Sequence, residues 1–204
     1  VYNGANGYTA SWDSSAITNI IDMHRDFIHR FGGLATSVTP TNYSSIKSAR
    51  SNFDVRFHFY ETRSLQSVLD KIQFEGAFIF RVNSQGNYVY INPDPPDDIT
   101  STSTGALTFS TSDIANVNFS IMPLQDLSTS HKLFYDLHPA KKTYRETLSR
   151  TSSDRSLLNF STTQDNQQTF EFDALTSSAG VTNWSDKYFA RYGNTSTDSS
   201  VSSD

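Results

Sequence analysis

The sequence predicts an α+β fold: two amphipathic helices on a small mixed sheet, followed by a β-rich second half and a C-terminal helix. Three observations carry that reading. Ile17, Ile20, Ile21, His24, Phe27, Ile28 and Phe31 recur at the three/four spacing of one helical face, and the run stops at Gly32-Gly33. Ser64 to Ile91 couples a second helix directly to a tight hairpin. Beyond the proline-rich stretch after Asn92, short alternating segments replace helical periodicity, until Val181, Trp184, Tyr188 and Tyr192 share a last helical face before Gly193.

Taken in order, Val1 to Asp13 is an extended lead-in with Tyr8 and Trp12 as anchors, and the first helix begins near Ser15. Leu34 to Val38 is expected as a short strand and Pro40 to Ser51 as a polar connection. Phe53, Val55, Phe57 and Phe59 then alternate with Asp54, Arg56, His58 and Tyr60, the pattern of a half-buried strand. Ser64 suits an N-cap, because its hydroxyl can take an orphan amide of the first turn, and Leu65, Val68, Leu69 and Ile72 form the inward stripe. Phe27 and Leu69 are therefore expected to share a core. The helix should stop near Gly76. Phe78, Phe80 and Val82 alternate as a strand, Asn83 to Gly86 turns with Gly86 at the left-handed position, and Asn87 to Ile91 returns.

The texture changes at Asn92-Pro93-Asp94-Pro95-Pro96-Asp97-Asp98, which is too rigid and then too polar for a core element. The expected organisation is an α/β subdomain over residues 1–92, a Pro/Ser/Thr-rich connection over 93–104, a β-rich subdomain with a terminal helix over 105–193, and a polar tail over 194–204. Within the second part, Leu107 and Phe109 suggest a strand edge, Lys132 to Leu137 and Thr143 to Leu148 two strands joined around His138, and Phe170 with Phe172 a further short strand. Ser153 to Phe160 suits a helical turn or two.

Composition excludes several function classes. Hydrophobic residues make up 36% and aromatics 13%, so burial must lean on Phe and Tyr. Net charge is −5, with Lys and Arg scattered, which gives no footprint for nucleic acid or an anionic membrane. The chain contains no cysteine, which removes thiolate chemistry, disulfides and sulfur-bound zinc, and suits intracellular synthesis. No apolar run approaches the length of a membrane span, and the N-terminus lacks a signal-peptide pattern. Opening on Val1, the sequence suggests a piece of a longer polypeptide.

The candidates for chemistry are few. His24 and His29 are the close histidine pair, but five residues place them roughly 140° apart on a helix, the wrong geometry for a shared metal. His24 lies on the apolar stripe and is read as a structural histidine. His58 falls on the polar face of a strand and His138 in a turn. Asp94, Asp97 and Asp98 form the best candidate for a cation site, yet their prolines oppose the flexible loop calcium requires, and a solvated connector is the better reading. Asn42, Asn118, Asn159, Asn183 and Asn194 each begin an Asn-x-Ser/Thr triplet, as expected by chance in so Ser/Thr-rich a chain. Tyr88 and Tyr90 share one hairpin face, a core surface or, in the binding-module alternative, a platform for a glycan. No residue set has the spacing of a nucleophile and base or of a ligand cage. The sequence accordingly assigns no catalytic, cofactor-binding or metal residue, and predicts neither an enzyme nor a cofactor.

The order of elements in AITNIIDMHRDFIHRFGG, FDVRFHFYET and SLQSVLDKIQFEGAFIFRVNSQGNYVYI resembles the α/β portion of bacteriophage tail-hub and tail-tip (baseplate hub) proteins. DIANVNFSIMPLQDLSTSHKLFYDLHPAKKTYRETLS is similar to the β-rich portion that follows in that family, so the likeness spans Ser15 to Ser149. It implies a virion structural protein, assembled in the host cytoplasm. The full-length chain would be a homotrimer about the tail axis, joining the tail tube and other phage tail proteins to the distal tip or receptor-binding parts. The alternative is a carbohydrate-binding or adhesion module that meets a host-surface glycan.

Overall fold

The structure is a computed structural model and describes residues 17–35, 37–59, 61–93, 128–152 and 166–192. It is α+β: N-terminal helices on a small antiparallel sheet, a β-rich mixed sheet, and a C-terminal helix.

Helix α1 (Ile20–Phe31) is the element the first half packs around. Asn19 caps it, its Oδ1 accepting from the Ile21 amide at 2.9 Å. Its apolar stripe is only part of what it buries, because Asp22, Arg25 and His29 are buried as well as Ile20, Ile21, His24 and Ile28. Both α2 (Tyr43–Ala49) and α3 (Leu65–Gly76) pack against it, which explains burial on more than one side. Helix α3 starts at Ser64, whose hydroxyl accepts from the Ser67 amide, as the sequence leads one to expect.

The hairpin of β1 (Ile79–Val82) and β2 (Tyr88–Ile91) is antiparallel and pairs Phe80 with Tyr90. Gly86 occupies the left-handed position (φ 82°) in its turn, while Asn83 Oδ1 accepts from the Gln85 and Asn87 amides. The second sheet runs β4–β3–β5. In it β3 (Ser130–Leu137) pairs antiparallel with β4 (Tyr144–Thr151) and parallel with β5 (Gln167–Glu171). Helix α4 (Ser178–Tyr192) packs on β3 and β4.

Residues from both halves form one hydrophobic cluster, in which Ile20, Phe53, Ile72 and Tyr90 are packed with Leu133, Phe172, Leu175 and Trp184. A short backbone pairing joins them: Arg56 N donates to Ala174 O, and Thr176 N donates to Asp54 O.

Several elements differ from the sequence reading. Residues 40–51 hold α2, buried through Tyr43 and Ile46. No strand covers residues 34–35 or 37–38, where Val38 N closes a turn on Ala35 O. The stretch from Phe53 keeps its alternation, but among the described residues only Asp54 and Val55 make β-bridges and no ladder forms. Its burial decays along the chain, from Phe53 and Val55 in the core to Phe57 half-buried and Phe59 exposed. On α3 the buried residues are Val68, Ile72, Glu75 and Gly76, with Leu69 only half-buried, so Ile72 takes the core place expected of Leu69. The mixed sheet belongs to the second half, and β3 contains a left-handed residue, Asp136 (φ 55°), between its pairs Tyr135–Glu146 and Leu137–Tyr144.

Candidate functional site

Two surface features and four buried polar groups are the places where function can reside among the described residues. The first surface feature is aromatic. Phe27 on α1 meets Phe31 at 5.7 Å, Phe57 at 6.2 Å and Phe59 at 5.6 Å, while the rings of Phe57 and Phe59 lie 5.0 Å apart. The inner rings rest on the core, but Phe31 is 65% and Phe59 52% exposed. Four phenylalanines meeting at the surface form an apolar patch of the kind that marks contact with another macromolecule.

The second is a cleft of about 270 Å³ between the end of α3, β1 and α4, lined by Phe74, Ala77, Ile79, Pro93, Trp184 and Tyr188 with Gln73 at its polar edge. Trp184 and Tyr188 stack 5.2 Å apart, and the Trp184 indole N–H donates to Phe74 O at 2.8 Å. The aromatic wall is thus rigid.

Buried polar groups were the part sequence reasoning largely missed. Glu75 is fully buried on α3, and its carboxylate accepts the amides of Asp173 (2.8 Å), Ala174 (2.9 Å) and Leu175 (3.1 Å). Burial pushes its pKa up to about 7, against the pull of the Lys71 ammonium and of those amides. Arg50 is equally buried. It donates to Gly76 O at 2.8 Å, Ala77 O at 2.6 Å and Asn92 Oδ1 at 2.6 Å, and so holds both ends of the hairpin unit. One local signal was available for α2: Tyr43, Ile46 and Arg50 are spaced as one helical face.

The third group is His131, whose Nδ1 lies 2.8 Å from Ser185 Oγ, the separation of a nucleophile and its base. Both residues are fully buried, however, and the imidazole stacks on Phe189 at 3.8 Å, so no substrate carbonyl reaches the serine. Burial, helped by Arg150, lowers the His131 pKa to about 4. His24 forms the fourth. Its Nδ1 sits 3.0 Å from the Tyr90 hydroxyl, with the rings of Phe78 and Phe80 edge-on around it, and burial lowers its pKa to about 3. For both histidines Nε2 has no hydrogen-bond partner among the described residues, which suits a neutral ring in an apolar shell.

The structure separates the histidine pair as expected. His29 belongs to another network, where its Nδ1 donates to Leu34 O and its Nε2 accepts from Arg25 Nε. Arg25 also covers the Tyr43 ring at 4.5 Å, while Tyr43 donates its hydroxyl proton to Asp22, which Lys47 meets at 2.8 Å. Burial and the Asp22 carboxylate together raise the Tyr43 pKa to about 12. His138 caps the β3–β4 turn, accepting from the Ala140 and Lys141 amides. Tyr90 is fully buried in the core, while Tyr88 on the same hairpin face is half-buried and stacks on Phe80. Asn42 donates to Tyr90 O. Asp94, Asp97 and Asp98 lie outside the described residues, as do Asn118, Asn159 and Asn194. Among the described residues there is no cluster of metal-ligating side chains, and no helix is long and apolar enough to cross a membrane. Compared with known proteins, the chain matches no family model and no curated protein.

Proposed function

We propose that this chain is a structural component of a phage tail tip or baseplate hub, placed in the virion, where the full-length protein forms a homotrimer and joins the tail tube to distal tip or receptor-binding parts. The observation that carries the proposal is the exposed cluster of Phe27, Phe31, Phe57 and Phe59, since aromatic side chains are enriched where protein surfaces meet. The disposition of ionisable groups supports the same reading. Glu75, Arg50, His24 and His131 are consumed in joining elements, which suits a load-transmitting part with no catalytic step of its own. Light scattering on the full-length protein across a concentration series, with co-assembly against neighbouring tail proteins, tests it. A trimer that joins those proteins is the expected result; a strict monomer that joins none of them rejects the proposal.

The cleft favours a second reading, a carbohydrate-binding module. Phe74 and Tyr188 offer apolar rings beside the Gln73 amide, over the buried Trp184, a combination suited to a sugar ring. Retention on a panel of immobilised glycans that is lost in Tyr188→Ala would favour this reading over the hub.

A further inference from the structure

We infer that the cleft between the end of α3, β1 and α4 is a binding site for a flat, neutral aromatic molecule of two fused rings that carries few polar groups. The cleft offers about 270 Å³. An apolar cavity of roughly 150 Å³ already holds benzene, so a second fused ring fits the larger space. The walls are mostly carbon. Phe74 and Ile79 line the cleft and are 42% and 44% exposed, which leaves two large apolar side chains facing the space between the elements. Behind them Trp184 is almost wholly buried, its ring 5.1 Å from that of Phe74 and 5.2 Å from that of Tyr188. A ligand ring can extend this group, since aromatic pairs are favourable offset-stacked or edge-on at about 4.5–7 Å between centroids.

Hydrogen bonding decides the class of ligand. The Trp184 indole N–H donates to Phe74 O at 2.8 Å, and the Tyr188 hydroxyl donates to Gln168 Oε1 at 2.9 Å. Gln73 is held at both ends of its amide: Oε1 accepts from the Phe80 amide at 2.7 Å, and Nε2 donates to Leu69 O at 3.3 Å. The donors of both rings are therefore engaged within the chain, and the Gln73 amide keeps one N–H and one lone pair. A fused-ring ligand with a single hydroxyl asks for no more than that. A sugar ring seated as deeply brings several hydroxyls, and each one taken out of water without a partner costs free energy. On this point the inference parts from the glycan reading of the same cleft. It does not involve the hub reading, which uses the phenylalanine cluster.

The chain has two tryptophans, so Trp12→Phe leaves Trp184 as the source of the one indole N–H resonance in a proton spectrum. The probe is 2-naphthol. Added to the purified 204-residue chain with Trp12→Phe, it should shift that resonance saturably with a Kd of about 0.1–1 mM, the range for a ligand of its size. Ile79→Glu places a charge at an exposed position of the wall and, with an unchanged thermal melt, should weaken binding at least about tenfold. If the glutamate lowers the melt, Ile79→Ser takes its place and should weaken binding at least about threefold. Phe59→Lys, in the separate phenylalanine cluster, should leave the Kd unchanged. A resonance that does not move, binding indifferent to the Ile79 variants, or binding lost in Phe59→Lys overturns the inference. So does methyl β-glucoside binding more tightly than 2-naphthol, a result that leaves the glycan reading in front. Binding of 2-naphthol without retention on glycans rejects the glycan reading alone, and neither result bears on whether the full-length protein is a trimer.

Discussion

Glu75 Oε2 accepts the amide hydrogen of Ala174 at 2.9 Å, and through this bond a helix of the first half terminates the backbone of a loop from the second. The same carboxylate takes the neighbouring amides of Asp173 and Leu175. Glu75→Ala leaves three amides of this tightly packed loop without an acceptor and should cost at least about 3 kcal/mol, since each buried unsatisfied donor costs roughly 1–3 kcal/mol. Glu75→Gln keeps one acceptor oxygen and should cost less. Chemical denaturation of both variants checks the order.

Stability should rise with pH between about 4.5 and 6.5, where three buried groups compete. His24 and His131 have folded pKa values of about 3 and 4 against an ordinary 6.5, so in this window the unfolded chain binds their protons and the folded chain does not. Glu75 acts oppositely: its folded pKa is about 7 against 4.5, so its folded form holds the extra proton and its contribution falls as pH rises. Two protons against one leave a net rise of at most about 1.4 kcal/mol per pH unit. Glu75→Gln should steepen the rise and His131→Gln should flatten it. Denaturation midpoints from pH 4 to 7 measure both slopes.

The end of α3 makes a two-sided prediction. Gly76 is required for close approach, because a Cβ there would stand 2.4 Å from the Phe78 ring, and Gly76→Ala should cost about 1–3 kcal/mol. The left-handed backbone falls instead on Ala77 (φ 47°). Ala77→Gly relieves that conformation while loosening the unfolded chain, and should range from no change to a gain of about 1 kcal/mol. Thermal melts of the pair should move in opposite directions, or Ala77→Gly not at all.

Ile72→Ala should cost about 2–5 kcal/mol, because Ile72 is fully buried within the cluster shared by both halves. Leu69→Ala should cost less than half as much, since Leu69 is half-buried outside it. Equal losses would place Leu69 in the core after all.

These residues also show what was legible beforehand. Most of the α1 stripe, Val68 and Ile72 of the α3 stripe, the Ser64 cap and the Gly86 turn were readable because spacing and turn chemistry are local. Alternation from Phe53 to Phe59 correctly reports which side chains share a side, but pairing depends on what lies alongside, and among the described residues it runs only as far as Thr18 and Ala174. Helix α2 was hidden by its polar face. Arg50 and Glu75 were unreadable as core residues, because a charged side chain is normally solvated and only the tertiary fold brings carbonyls to one and amides to the other. The same holds for the surface cluster: Phe31 and Phe59 look like core residues in the sequence, and their exposure is decided by where the core stops.

The span between Glu75 and its three amides has a bearing on the order of synthesis. A ribosome delivers Glu75 about a hundred residues ahead of Asp173, Ala174 and Leu175, with α1, α2 and α3 already made. Throughout that interval water must solvate the Glu75 carboxylate on an uncovered seam of α3, and Ile72 on the same helix lacks Phe172 and Leu175, its later companions in the cluster. The emerging first half is therefore a sticky, incompletely sealed nascent chain, and the late arrival of residues 173–175 is the event that seals it.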